Sequence, residues 1–216
     1  GIYKRRLCPE HCKQKTCGYY KLISVVMRYL HKPKMGDIIY SLPLIKHQGG
    51  GVLYLDPVSK HFPNQTEHWI VQFNWLMPLI KHQPYIEDVK IYTGEPYDID
   101  LDEYMNTTHL TKHDTINIVD NHFIAQGLPL TPYEPWLTHS YDISVNKIIV
   151  ANSNNHHNNV DYEKLLKLPE FHFVGTEKEI ADFTIRCGRP FPSCITTTAL
   201  DLANIINGCE IFVGNQ

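Results

Sequence analysis

The chain has 216 residues, 43% of them apolar and 20% charged, with a formal net charge of −3. That length allows one large domain or two of roughly 110 residues, and the composition excludes an intrinsically disordered chain. The near-neutral total argues against a dedicated nucleic-acid binder, and no apolar run approaches the roughly 18 residues of a membrane span.

The charge is lopsided. Residues 1–34 hold nine of the twenty Lys and Arg and a single Glu, a local +8, against −11 for the remainder. Cysteine divides at the same place: Cys8, Cys12 and Cys17 lie in the basic head, and Cys187, Cys194 and Cys209 come late. With His11 the early three could offer thiolate and imidazole to zinc, but the paired C-x2-C knuckles of a structural site are missing. Residues 1–26 therefore read as an extension outside the fold, with neither the continuous apolar stretch nor the cleavage site of a secretory signal. Six cysteines without a regular framework suggest a reducing compartment, so a cytoplasmic location is expected.

From residue 22 onward strand and helix signals alternate. Leu22–Leu30 is apolar and β-rich, and Gly36-Asp37 opens a helical pattern of Ile38, Leu42 and Ile45 that Pro43 should shorten or kink. Gly49-Gly50-Gly51 makes a turn, and Val52–Leu55 is the second strand. Asn64 with Glu67 resembles a capping box, before an apolar face of Trp69, Ile70, Phe73, Leu76 and Met77 that Pro78 and Pro84 should end. Val89–Thr93 reads as a strand, the acidic run Glu95–Glu103 as a surface loop, and Ile116–Ile124 as a helix stopped by Gly127. Leu128–Trp136, bearing prolines, reads as a connector.

A second alternating series starts at Lys147. It predicts a strand at Ile148–Ala151, a short helix at Asp161–Leu166 and a strand at Phe171–Val174. Next come a helix capped by Thr176 and Glu179 and ending at Gly188, a helix at Leu200–Ile206 and a strand at Ile211–Val213. Such alternation means parallel sheets with crossover helices, in two Rossmann-like units over 27–140 and 141–216. The chain stops on the loop that leaves a strand, and the second unit is small for a doubly wound domain. The sequence is therefore expected to be a fragment cut inside it.

Three strand-to-helix loops can carry chemistry. At Gly36-Asp37 the glycine lets a ligand near the backbone, and the carboxylate can serve as a general base or simply as a helix cap. In the polar run Asn152–Asn159, the Ser153 hydroxyl, the Asn155 amide and the His156 imidazole could bind a phosphate or a sugar, although a solvated loop explains the run equally. At Gly214-Asn215-Gln216, backbone N–H groups at a following helix would suit an anion. Adjacent His156 and His157 make a poor chelate, and Asp98-Ile99-Asp100, with the Asp-x-Asp spacing of a metal–diphosphate site, lies in an acidic loop well after its strand. No metal and no resident cofactor is expected.

MGDIIYSLPLIK at Met35–Lys46, VGTEKEIADF at Val174–Phe183 and LANIINGCEIFVGNQ at Leu202–Gln216 resemble, in order, motifs of the heptosyltransferase-like glycosyltransferases of family 9, in a bacterial and phage branch. The resemblance covers about residues 25–216 and implies a GT-B architecture of two Rossmann-like domains facing a cleft. It implies an inverting, metal-independent transfer from a nucleotide-sugar donor to a saccharide or glycoconjugate acceptor. Asp37 would be the base, Gly36 would lie against the acceptor, and Ser153, Asn155, His156, Gly214, Asn215 and Gln216 would hold the donor. One departure stands out: where relatives carry a basic residue for the donor phosphates, Asn154–His157 holds no Lys or Arg. A non-catalytic Rossmann-like module that binds a nucleotide or a glycan is the alternative.

Deleting residues 1–26 is expected to leave the thermal midpoint nearly unchanged. A drop of about ten degrees in a melting curve would refute this, and stoichiometric zinc held by the head would restore the metal reading.

Overall fold

The computed structural model describes residues 26–32, 35–57, 66–107, 117–130, 134–139, 145–152, 162–168 and 170–214. The first unit runs β1 (Met27–His31), α1 (Met35–His47), β2 (Gly51–Leu55), α2 (Thr66–Lys81), β3 (Ile86–Ile91) and β4 (Ile99–Asp100). A 3-10 turn (Leu101–Glu103), α3 (Tyr104–Thr107) and α4 (Ile118–Ala125) follow. The second runs β5 (Ile148–Ala151), α5 (Tyr162–Leu165), β6 (His172–Gly175), α6 (Glu177–Cys187), β7 (Ser193–Ile195), α7 (Ala199–Asn207) and β8 (Ile211–Gly214). The fold is α/β, with two four-stranded parallel sheets compatible with Rossmann-like domains. The strand orders are β3-β2-β1-β4 and β7-β6-β5-β8, the same permutation twice.

The central strands are buried, as parallel strands between helices must be. Tyr29 and Leu53 are fully buried, and α1 sets Ile38, Leu42 and Ile45 against them at helical spacing. Pro43 stays inside α1, which still runs for 13 residues. Pro78 likewise does not end α2, contrary to expectation: the helix continues to Lys81. The next turn buries Leu79 and Ile80, and two such side chains, at roughly 1.5–3 kcal/mol each, outweigh a helical proline's penalty of about 3. β3 begins three residues earlier than its periodicity suggests, because Ile86 and Val89 are its buried positions.

The acidic run is a surface loop, as expected, only as far as Asp98; from Ile99 it enters the fold. Asp98 accepts from Arg28 N at 2.9 Å, Nε at 3.1 Å and Nη2 at 3.0 Å, and its own N–H donates to the Arg28 carbonyl. These bonds zip Ile99–Asp100 onto β1 as the fourth strand. A two-residue strand has no readable alternation; Asp98 before it is paired with Arg28 while staying exposed, and Asp102 after it is buried.

The second core gathers Val150, Leu165, Phe171, Phe173 and Phe183, with Phe173 stacked on Phe183 at 4.2 Å. Both capping boxes here are complete: Thr176 with Glu179, and Thr198 with Asp201. Gly188 closes α6 at φ 68°. The strand β7 had no signal in the sequence. The described parts of the connector, 128–130 and 134–139, are irregular as expected, but they are fastened to the first unit, with Trp136 and Leu137 packed on its core. Gln83 brackets Thr138, accepting from its N–H at 2.7 Å and donating to its carbonyl at 3.0 Å, while the Tyr85 hydroxyl donates to the Trp136 carbonyl at 2.6 Å. The units meet where α7 packs on α2, and Ala199, Leu200 and Ala203 join the first core. Leu22–Val25 and Asn64 lie outside the described residues. No described helix is long and apolar enough to cross a membrane.

The turn into β2 tests this packing. An added Cβ at Gly50 (φ 87°) would lie 2.1 Å from the Tyr85 carbonyl oxygen, whereas one at Gly49 (φ 95°) meets nothing within 4 Å. Gly49→Ala carries only left-handed strain of about 1 kcal/mol. Gly50→Ala adds a backbone collision, so its Tm is expected to fall by at least about 5 °C, and clearly further than that of Gly49→Ala.

Candidate functional site

In an open parallel sheet, ligands gather at the carboxyl ends of the two strands between which the chain direction of winding reverses. In the first unit those strands are β1 and β4, and the side chains that collect there were not singled out by sequence. β1 ends at His31, 1% exposed; β4 leads through the 3-10 turn to Asp102, 5% exposed. His31 Nδ1 lies 2.9 Å from Asp102 Oδ1, and since a carboxylate only accepts, Nδ1 carries the proton. The other oxygen, Oδ2, accepts from the Lys32 backbone N–H at 2.9 Å and faces Lys32 Nζ at 3.3 Å. Asp100 caps the turn by accepting from Asp102 N at 2.9 Å.

This set of partners decides the charge state of Asp102. Burial alone would push its carboxyl up, but the hydrogen bond and charge interaction with His31, with the Lys32 ammonium and N–H, hold it below the usual range. The turn so fixed delivers Tyr104 at the start of α3, buried. Burial and then the nearby charge of Asp37, in the first turn of α1, push the phenol well above its ordinary range, so it remains a donor. His122 of α4 closes the cluster, its ring 4.3 Å from Tyr104 and edge-on to His31 at 5.9 Å. His31 Nε2 and both ring nitrogens of His122 have no hydrogen-bond partner among the described residues. Unsatisfied buried polar groups are uncommon and concentrate where a fold serves a site.

Asp37 is thus brought to this strand end, on the third residue of α1 and partly exposed, where its carboxylate can meet a ligand. Gly36 is exposed beside it, and an added Cβ there would meet only the Tyr40 ring at 3.9 Å, so the fold itself does not demand glycine. Asp98 and Asp100 are engaged, one with Arg28 and the other with the Asp102 N–H. Among the described residues no group of three or more His, Cys, Asp or Glu could hold a metal.

The matching place in the second unit is the carboxyl ends of β5 and β8, where Ala151 pairs with Gly214 and Asn152 is buried. Gly214 is predicted to bind donor, yet it has a packing reason as well: a Cβ there would lie 2.8 Å from the Phe212 ring. Ser153, Asn155, His156, Asn215 and Gln216 lie outside the described residues. No signal in the sequence pointed to His31, Asp102, Tyr104 or His122, because 71 residues separate His31 from Asp102 and only β4 brings them together. Comparison with family models, with curated proteins and with solved structures finds no match to this chain.

His122 makes stability depend on acid. Burial, then the neighbouring His31, drives its pKa from 6.5 to about 3, against a smaller opposing effect of Asp102. The neutral ring is favoured in the folded state, so this contribution is complete above pH 6.5. It is lost on acidification through that window, as the unfolded chain takes up a proton that the folded chain refuses. The slope approaches about 1.4 kcal/mol per pH unit, which lowers Tm by roughly 3–6 °C per unit. His122→Phe keeps a ring against Tyr104 and is expected to flatten the Tm profile between pH 6 and 4. An unchanged slope in that variant would place the acid sensitivity elsewhere.

Proposed function

We propose that this chain is an inverting glycosyltransferase of the GT-B type, carrying a sugar from a nucleotide-sugar donor to a saccharide or glycoconjugate acceptor without a metal. The observation that carries the reading is the placement of Asp37: a partly exposed carboxylate in the first turn of α1, at the strand end where open α/β sheets bind ligands. Asp37 takes the proton of the acceptor hydroxyl as that oxygen attacks the anomeric carbon from the face opposite the leaving group. The new C–O bond forms as the bond to the nucleotide diphosphate breaks, and the electron pair leaves on the phosphate oxygen. Donor recognition belongs in this reading to the second unit, to Ser153, Asn155 and His156 after β5, and to Gly214, Asn215 and Gln216 at β8. Metal independence is supported by Asp98 and Asp100, whose carboxylates are occupied within the protein.

The second reading, a non-catalytic module for a nucleotide or a glycan, is favoured by one observation. Residues 153–157 offer no Lys or Arg to a departing diphosphate, and Lys32 at the first strand end is already paired with Asp102. Catalysis separates the two readings.

Asp37→Asn keeps the side-chain shape while removing the proton acceptor. In a panel of nucleotide sugars its turnover is expected to fall by roughly 10²–10⁴-fold, with donor affinity and Tm unchanged. Wild-type rates in Asp37→Asn would exclude the base role. Donor binding by calorimetry with no transfer to any acceptor or to water would favour the binding module.

A further inference from the structure

His31 is the last residue of β1, and the fold uses only half of its ring. Its Nδ1–H is given to Asp102 Oδ1 at 2.9 Å, while Nε2 is buried with no hydrogen-bond partner among the described residues. Nothing in the pairing of Asp102 calls for an imidazole. The other carboxylate oxygen already takes the Lys32 N–H at 2.9 Å and faces Lys32 Nζ at 3.3 Å, so any side chain with one donor would complete the set. The imidazole brings a second nitrogen besides. Because a carboxylate only accepts, the proton sits on Nδ1, and Nε2 keeps a lone pair and no proton. A buried acceptor without a donor costs free energy, and such groups are rare. Its place is the carboxyl end of β1 beside β4, where an open parallel sheet takes its ligand. The unused nitrogen and the sheet topology are separate observations, and they meet at one spot.

We infer that His31 Nε2 is a ligand-binding atom that accepts a hydrogen bond from a hydroxyl, and that this hydroxyl belongs to the saccharide acceptor. The first half follows from the tautomer: a lone pair without a proton selects a donor and repels a fully ionised phosphate, which has only lone pairs to offer. Size narrows the donor further. His31 is 1% exposed and the His122 ring stands edge-on at 5.9 Å, so a single small group reaches Nε2 while the body of its ligand stays outside. Lys32, next in the chain, is 24% exposed at its side chain, so the enclosed ring lies one residue from solvent. The second half rests on the proposed transferase reading, in which Asp37 takes its proton from the acceptor. His31 then holds a different hydroxyl of the same saccharide. A sugar held at a rigid strand end loses rotational freedom before its reacting oxygen attacks, which favours the transfer.

The test is nitrogen-15 spectroscopy of the histidine rings in the whole chain, at about pH 8, where imidazole is ordinarily neutral. His31 is assigned through its own backbone, so this measurement needs no variant. The free protein is expected to show a proton on Nδ1 and none on Nε2. A panel of methyl glycosides is then added. At least one is expected to move Nε2 to its hydrogen-bonded position, while the permethylated counterpart, which has no hydroxyl, and inorganic phosphate leave it in place. His31→Asn supplies the kinetic arm: its amide keeps a donor for Asp102 and lacks the second nitrogen. With a nucleotide sugar that the wild type transfers, the acceptor KM is expected to rise roughly three- to tenfold, with kcat and donor KM unchanged. A proton on Nε2 in the free protein, or a response to phosphate rather than to any glycoside, overturns the inference. No response to any addition does the same, and leaves a trapped water as the only partner. Wild-type acceptor KM in a folded His31→Asn also overturns it, and leaves the role of Asp37 standing. A glycoside that moves Nε2 in a protein that transfers no sugar keeps the binding site and removes the transferase reading.

Discussion

One buried carboxylate organises the candidate site. An ionised Asp102 removed from water would cost several kcal/mol if left unpaired. It is not left unpaired: an imidazole N–H, a backbone N–H and an ammonium all converge on its two oxygens. Because all three groups belong to His31 and Lys32 at the end of β1, the carboxylate can be satisfied only if the 3-10 turn lies against that strand. This requirement sets where α3 starts, and α3 sets Tyr104. Groups some seventy residues before Tyr104 in sequence thereby fix its position.

The same region shows what the arrangement leaves undone. His122 fills its place as a ring, against Tyr104 and His31, but its nitrogens are not hydrogen-bonded. Packing favours it there and solvation opposes it. The neutral form is the compromise, which is why its proton affinity is so reduced. A fully apolar core would have been simpler and more stable, so the cluster is a departure from the rule that buried polar groups are paired.

The duplication of strand order links local folding to the arrangement of the two units. Each sheet places the strand that comes first in sequence beside its last, β1 beside β4 and β5 beside β8, so each unit has one strand end suited to a ligand. The units are held by apolar packing of α7 on α2, and Asn207 of α7 lies 2.9 Å from His139 of the connector. Fastening by Gln83 and Tyr85 makes the connector part of the first unit up to Thr138. A linker whose own backbone bonds are met by a neighbouring domain leaves few unsatisfied groups and little freedom.

Most elements were legible because their cause is local. Hydrophobic spacing marked α1, β2, α2 and, in the second unit, β5, β6 and β8, and Thr176 with Glu179 and Gly188 marked both ends of α6. Asp37 and Gly36 were legible from their motif. What local patterns could not show were the outcomes of competition between distant groups. Pro78 inside a helix that continues is one, because its cost is met by Leu79 and Ile80 in a core assembled from other segments. The end of the acidic run is another: Asp102 looks like solvated charge until His31 and Lys32 arrive at the end of β1. The sequence by itself determined the alternation of strand and helix, the α/β class and the carboxylate at the head of α1, since periodicity, caps and turns act over a few residues. Only the tertiary structure decided that β4 exists, that Asp102 is buried with its partners and that Tyr104 is buried against His122. A hydrogen bond between groups 71 residues apart has no local signature, and it forms only when the sheet brings the strands side by side.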